Sequence, residues 1–305
     1  MITTIIFSFN RAIQLEKLLE SIYALDTNRQ LEINILFKYS NLQYLKGYEK
    51  LKDLYTSINW YEEKTVNDRF VGPNLKLYWR NYYWWLKYNN QRWVKSDFKK
   101  LLLTILRSRT NENVMFLTDD SFFFRNIEIN PEVIRMIKQK PYDISYSLRF
   151  GKNIYGGEFI NQNNFLKWNR NDQHPNKEWA YPFSVDGHIY NSEIITRLMT
   201  EVRFSNPNTF EANLSCYCRE KKLFCQSYSN IYSCLIGTEL NRVQQVNKND
   251  NMNINIEQLN KLYLEGYKLE IKYILSDHHM FRPPIDSIYA YKLNKRIYLF
   301  RSNGS

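Results

Sequence analysis

The first sixty residues alternate between two hydrophobic patterns, and that alternation restricts the chain to few folds. Residues 2–9, Ile-Thr-Thr-Ile-Ile-Phe-Ser-Phe, are β-branched and aromatic and run into the polar Asn10-Arg11, as a buried strand does on entering a loop. From Ala12, the apolar residues Ile13, Leu15, Leu18, Leu19, Ile22 and Leu25 recur at the spacing of one helix face. Residues 31–37 alternate through Ile33, Ile35 and Phe37, residues 44–55 return to helical spacing, and Ile58-Asn59-Trp60-Tyr61 reads as a short strand. Strand, helix, strand, helix, strand predicts an α/β fold: a mixed, mostly parallel sheet with helices on both faces.

Further along, residues 75–93 hold four of the seven tryptophans and read as a helix with part of its aromatic face over a ligand cleft; an interfacial segment on a membrane is the alternative. Ser96 is read as the cap of a helix that buries Leu101, Leu102, Ile105 and Leu106, and Asn113-Val114-Met115-Phe116-Leu117 as a buried strand. A hydrophobic fraction of 44% with 16% aromatics is ample for a core, which excludes a disordered chain. Cys216, Cys218, Cys225 and Cys234 lack the spacing and neighbouring histidines of a zinc site and read as reduced thiols. No apolar run reaches the roughly 20 residues that span a bilayer, and the start has no basic region of a signal peptide, so a cytoplasmic chain is expected. The net charge of +11 admits nucleic acid, an anionic membrane or a phosphorylated small molecule as partner. The basic residues are dispersed, and no helix-turn-helix, zinc-finger or ribonucleoprotein pattern occurs. Nucleic acid is therefore not the expected partner.

The chemistry concentrates where the strand at 113–117 opens into Thr118-Asp119-Asp120-Ser121. Adjacent carboxylates repel and raise one another's pKa unless a cation or hydrogen-bond donors offset them. An α/β protein keeps its ligand at the carboxyl ends of its strands, and a divalent cation completed by a diphosphate would account for the pair there. Two acidic residues capping a turn is the alternative.

In order and spacing, these segments resemble the GT-A glycosyltransferases, close to family 2 and its bacterial polysaccharide relatives. Ser8-Phe9-Asn10-Arg11-Ala12 with Leu15, Leu18, Leu19 and Ser21-Ile22 is similar to their first strand, nucleotide loop and first helix. Phe116-Leu117-Thr118-Asp119-Asp120-Ser121-Phe122-Phe123 resembles their DxD segment. Phe183-Ser184-Val185-Asp186-Gly187-His188-Ile189-Tyr190 resembles the strand and loop that cover donor and acceptor, and Asn206-Pro207-Asn208-Thr209-Phe210-Glu211 the segment whose acidic residue faces the acceptor. The resemblance runs from residue 2 to about residue 240 and implies a Rossmann-like GT-A core over 1–240 with a C-terminal extension over 241–305. It departs from the family in Thr118 for the first aspartate, in Glu211-Ala212 for the Glu-Asp pair before the last core helix, and in Lys38-Tyr39-Ser40, where an acidic residue often contacts the nucleoside.

The resemblance implies transfer of a sugar from a nucleotide-diphosphate donor to a glycan or lipid-linked acceptor, in bacterial surface polysaccharide synthesis. Ser8, Phe9, Asn10, Arg11 and Asp119 would bind the donor, with Asp68 or Asp97 at the nucleoside and Arg242 either at the diphosphate or in a surface ion pair. Mn2+ or Mg2+ would sit on Asp120 and Asp119, with His278 or His279 as a further ligand unless that pair is merely solvated. Glu211 is the first candidate for the base and Asp186 the second, should transfer invert the anomeric centre. His188 could touch the acceptor or pack within a strand, and His174 lies in a loop, exposed or folded over the cleft. The basic, aromatic tail over 287–301 could rest on the inner face of a membrane, pack on the core or join copies of the chain as a homo-oligomer. An inactive relative acting as a partner subunit and a nucleic-acid-binding protein are the competing functions.

Overall fold

The computed structural model describes residues 1–64, 96–162, 164–238, 240–241, 252, 254–273 and 285–301. The amino-terminal part runs β1 (Ile2–Phe9), α1 (Ala12–Leu25), β2 (Leu31–Lys38), α2 (Leu42–Leu54) and β3 (Asn59–Glu62). The middle holds α3 (Phe98–Ser108), β4 (Asn113–Thr118), β5 (Ser121–Phe123), α4 (Pro131–Gln139), β6 (Ile144–Ser147), β7 (Ile160–Gln162) and β8 (Phe165–Asn169). It continues through β9 (His188–Asn191), α5 (Ser192–Glu201), α6 (Pro207–Glu220), β10 (Gln226–Ser229) and β11 (Leu235–Gly237). The chain closes with α7 (Ile256–Leu264), β12 (Lys268–Tyr273), β13 (Ile285–Lys292) and β14 (Lys295–Arg301).

Among the described residues, nine strands form one sheet in the order β3-β2-β1-β4-β9-β6-β10-β8-β7. Pairing is parallel from β3 through β4 and between β6 and β10, and antiparallel wherever β9 or β8 takes part, so seven of the nine strands run the same way. The α/β, mixed and mostly parallel sheet read from the sequence is the sheet observed. Side chains of β1 explain its central place. Ile2 and Ile6 enter one core with Leu15, Leu18 and Tyr48 of α1 and α2, while Ile5 and Phe7 enter the opposite one with Leu102, Phe116 and Phe210. A strand buried on both faces needs helices on both, and α1 and α2 cover one side while α3, α5 and α6 cover the other.

Sequence boundaries move by small amounts with clear causes. The helix expected to be capped by Ser96 begins at Phe98 with Asp97 at the cap position, although the Ser96 hydroxyl still accepts the Phe98 N–H at 3.0 Å. The tail over 287–301 falls in the antiparallel pair β13 and β14, which forms a three-stranded sheet with β12. That end of the chain is attached to α1 and α2: Asn260 donates to the Gln43 carbonyl at 3.1 Å, Lys50 to the Tyr263 carbonyl at 2.9 Å, and Lys268 pairs with Glu20 at 2.6 Å. The tryptophan-rich segment 75–93 lies outside the described residues, and no helix among those described is long and apolar enough to cross a membrane.

Gly151 marks a close approach of two loops. A Cβ there would lie 2.2 Å from the Ser233 nitrogen and 2.6 Å from the Tyr232 carbonyl carbon, both backbone atoms that cannot rotate away. Gly151→Ala is expected to cost about 1–3 kcal/mol, read as a lower urea midpoint at unchanged slope. Leu293→Ala, at a side chain 92% exposed, should change stability by less than about 0.5 kcal/mol.

Candidate active site

The parallel register pairs Phe7 with Thr118, so the loops that follow β1 and β4 leave the same edge of the sheet side by side. Asn10 holds the first loop in shape. It sits at φ 59°, a left-handed conformation that asparagine tolerates, and exchanges two 2.9 Å hydrogen bonds with Ser40 after β2. Asp119, 3% exposed, extends the ladder by donating its N–H to the Phe7 carbonyl at 3.0 Å, and its carboxylate turns inward. The Phe9 N–H donates to Asp119 Oδ2 at 3.0 Å, and Arg11 Nη1 donates to Asp119 Oδ1 at 3.0 Å and to Asp120 Oδ2 at 3.2 Å. Arg11 Nη2 donates to the Asn241 carbonyl at 2.6 Å. Tyr48 of α2 lies beneath this loop, its hydroxyl 2.7 Å from Ser8 Oγ and accepting the Arg11 N–H at 3.3 Å.

Burial pushes the Asp119 carboxyl up to about 6, Arg11 works against it, and the Asp120 charge adds to it. Burial also disfavours the Arg11 charge, yet the two carboxylates outweigh it and hold the guanidinium above its ordinary value. Two donors at 3.0 Å on opposite oxygens are the surroundings of an ionised Asp119.

A second group adjoins the first through Thr118, whose hydroxyl donates to Asp186 Oδ1 at 3.1 Å. Arg149, just past β6, forms an ion pair with Asp186 Oδ2. Asp186 stands on a turn before β9 that requires glycine next: Gly187 has φ +70°, and a Cβ there would lie 2.2 Å from Leu235 Cδ2. Glu211 reaches the same turn from α6 and accepts the Val185 N–H at 3.0 Å. It was expected ahead of the last core helix; it stands inside α6, because Asn206 and Thr209 form a capping box with Pro207 in the first turn. Burial pushes the Glu211 carboxyl up to about 7, with the Asp186 charge as the second cause. His188 is buried in β9. Its Nδ1 lies 3.2 Å from the Asp186 carbonyl, which can only accept, so Nδ1 carries the proton. Burial first and Arg170 second hold this imidazole well below its ordinary pKa.

Of the residues singled out in the sequence, Ser8, Phe9, Asn10, Arg11, Asp119 and Asp120 come together, and Asp186 and Glu211 meet beside them. Asp97 joins neither group; its carboxylate accepts the Lys64 N–H at 2.8 Å and ties the start of α3 to the end of β3. His174 is not exposed: it is buried, accepts the Glu158 N–H at 3.0 Å and stacks on Trp179. Asp68, Arg242, His278 and His279 lie outside the described residues. Tyr48, Arg149 and Glu63 escaped the sequence reading. Glu63 accepts from Lys38 and Ser96, each at 2.7 Å, beside the loop where the expected nucleoside acid is missing. A polar residue closing a strand was the available signal for Glu63, and Tyr48 carried none.

The described residues do not fit a resident divalent cation. Both Asp119 oxygens and one Asp120 oxygen already accept hydrogen bonds, and no group of three His, Cys, Asp or Glu side chains among the described residues could hold a metal. The polar atoms nearby that are buried without a described partner are the donors Arg11 Nε and Gln14 Nε2, which suit an anion, and the oxygens Thr238 Oγ1 and Asn241 Oδ1.

Two substitutions test this electrostatic account. Asp119→Ala leaves Arg11 buried with one partner fewer and is expected to cost about 3–5 kcal/mol, measured by chemical denaturation. Because the folded-state pKa of Glu211 is raised, the native chain binds more protons than the unfolded chain between the two values, so this group's contribution to stability falls as pH rises through about 7. Glu211→Gln removes that contribution, and its denaturation midpoint should decline less than that of the wild type between acid and mildly alkaline pH.

No protein-family model matches the chain. It is similar to the bifunctional glycosyltransferase pgtA of Dictyostelium discoideum, 23% identical over 309 residues that cover 88% of this chain and 36% of the relative. The chain thus spans about a third of the length of the curated relative it matches. Among solved structures it is similar to S. aureus TarS 1–349 in complex with UDP-GlcNAc, at TM-score 0.43 and 14% identity over 87% of this chain and 67% of that one. The mannosyltransferase PcManGT from Pyrobaculum calidifontis, in complex with GDP-Man and Mn2+, gives TM-score 0.34 and 15% identity over 68% and 50%. In sequence, and in carrying a mixed, mostly parallel sheet with its polar loops at one edge, the chain resembles the GT-A nucleotide-sugar glycosyltransferases.

Proposed function

We propose that the chain transfers a sugar from a nucleoside-diphosphate sugar to a hydroxyl of a glycan or lipid-linked acceptor. Residues 1–240 form the transferase core in this reading, and 241–305 an extension packed upon it. The observation that carries it is the second carboxylate pair. Glu211 and Asp186 meet at one turn, and Thr118 joins that turn to the loop bearing Asp119 and Asp120. A donor site and a proton acceptor are thereby adjacent on one sheet edge, as direct displacement requires.

The two carboxylates are not equivalent. Asp186 accepts from Thr118 and from the cationic Arg149, one on each oxygen, whereas Glu211 accepts from the neutral Val185 N–H and Ser184 hydroxyl. Glu211 therefore serves as the base and Asp186 as its positioning neighbour. As the acceptor oxygen bonds to the anomeric carbon, its proton passes to Glu211, and the bond to the nucleoside diphosphate breaks with inversion. Charge growing on the leaving diphosphate is met by Arg11, whose Nε has no partner among the described residues. Glycans on lipid carriers would place the reaction at the inner face of a bacterial membrane, where the basic strands β13 and β14 could meet anionic lipid.

A thermal-shift screen of UDP-, GDP-, CMP- and dTDP-sugars should raise the melting point with one nucleotide class, because a ligand that binds only the folded state stabilises it. With that donor, Glu211→Gln should lower kcat by about 10²–10⁴-fold while leaving donor affinity within about twofold. The wild-type rate should climb with pH through about 7 as Glu211 loses its proton. No shift with any donor, or full activity in Glu211→Gln, would overturn the assignment.

A further inference from the structure

A site for a nucleoside diphosphate needs positive charge near the two phosphates, and the DxD-like segment promised it through a metal. The side chains supply it differently. Arg11 Nη1 lies between the two aspartates, 3.0 Å from Asp119 and 3.2 Å from Asp120, so one guanidinium already occupies the space between their carboxylates. The group is not a surface arginine that happens to swing inward: Arg11 is 5% exposed, its Nη2 is fixed on the Asn241 carbonyl and its N–H on the Tyr48 hydroxyl. Freeing the carboxylates for a metal would break these contacts and leave a guanidinium beside a doubly charged ion.

The cleft around the pair is lined by Gln14, Lys17, Ser121 and Thr238. Arg11 Nε and Gln14 Nε2 are buried there without a partner among the described residues. Thr238 Oγ1 and Asn241 Oδ1 are buried there without a described partner as well, so among the described contacts Asp120 Oδ1 is the one carboxylate oxygen of the pair left to a metal, beside two neutral oxygens. Arg11 also comes from the first loop of the fold, not from the aspartate segment, so its position follows from the β1 and β4 register rather than from side-chain chance.

We infer that Arg11 takes the place of the divalent cation in the donor site, so that the nucleoside diphosphate binds without a metal. The inference rests on the proposed function, and it assigns to the chain a metal-independent branch of that chemistry. Its corollary is that the two aspartates form a metal site once the guanidinium is removed.

The test uses the full chain and two probes, Mn2+ alone and the nucleotides UDP and GDP. Loss of the free Mn2+ signal in electron paramagnetic resonance reads metal uptake, and calorimetry with or without EDTA reads nucleotide affinity. Wild type and Arg11→Lys are expected to leave Mn2+ free, Arg11→Ala to take up one equivalent, and Arg11→Ala with Asp120→Asn to release it. EDTA should change the wild-type affinity for the preferred nucleotide by less than about threefold, well under 1 kcal/mol. Should circular dichroism find Arg11→Ala unfolded, Arg11→Gln replaces it, and the wild-type measurements decide in either case. Mn2+ held by the wild type, or a tenfold loss of nucleotide affinity in EDTA, overturns the inference and leaves glycosyl transfer standing. Binding of neither nucleotide under any condition overturns glycosyl transfer and this inference with it.

Discussion

Arg11 and Asp119 are buried charges in contact, and the organisation of the sheet edge depends on them. An ion pair removed from water is tolerated only when nearly every donor and acceptor finds a partner. Here the partners come from four separate pieces of chain: the Phe9 N–H from the first loop, Asp120 from the second, the Tyr48 hydroxyl from α2 and the Asn241 carbonyl from the segment after β11. Hydrophobic packing brings β1 and β4 together but fixes no loop. The buried pair does, because each of those groups must be where it is for the charge to be stable.

Two carboxyl groups on one edge, both with proton affinity raised by burial, are thereby given different partners. Asp119 is surrounded by donors and ties structure together. Glu211 is buried beside Asp186, and burial and that neighbouring charge raise its affinity for a proton against the opposing Val185 N–H and Ser184 hydroxyl. Environments that push apart the behaviour of chemically similar groups are how a fold assigns separate tasks to them. Thr118, standing where the resemblance expected a first aspartate, is the link: its hydroxyl supports Asp186 while the next residue turns the other way to Arg11.

Much of this was legible along the chain, for identifiable reasons. The alternation through residue 62 is local, since each strand and helix of that region displays its own period, and it predicted the parallel half of the sheet. The aspartates announced themselves by following a hydrophobic strand. Strand order in the second half was not readable, because the insertion of β9 between β4 and β6 is decided by tertiary pairing and leaves no periodic mark. Tyr48 looked like one more apolar position on α2, and Arg149 like one more base in a basic chain. The placement of Glu211 within α6 was written in Asn206-Pro207-Asn208-Thr209, a helix start that the family pattern obscured.

The reach of Arg11 along the chain has a consequence for biosynthesis. Its bond to Asn241 joins residues 230 positions apart, whereas every strand of the large sheet has been made by Ser229. A ribosome adding about 5–20 residues per second completes the sheet before it releases the segment that finishes the buried charge cluster. For that interval the nascent domain has a hydrophobic core but an open guanidinium beside two aspartates. The chain beyond Asn241 also brings Ile254, Leu259, Tyr263, Leu269, Ile271 and Ile288 to the core over α1 and α2, so the closing of the charge cluster and the completion of that core both follow the large sheet.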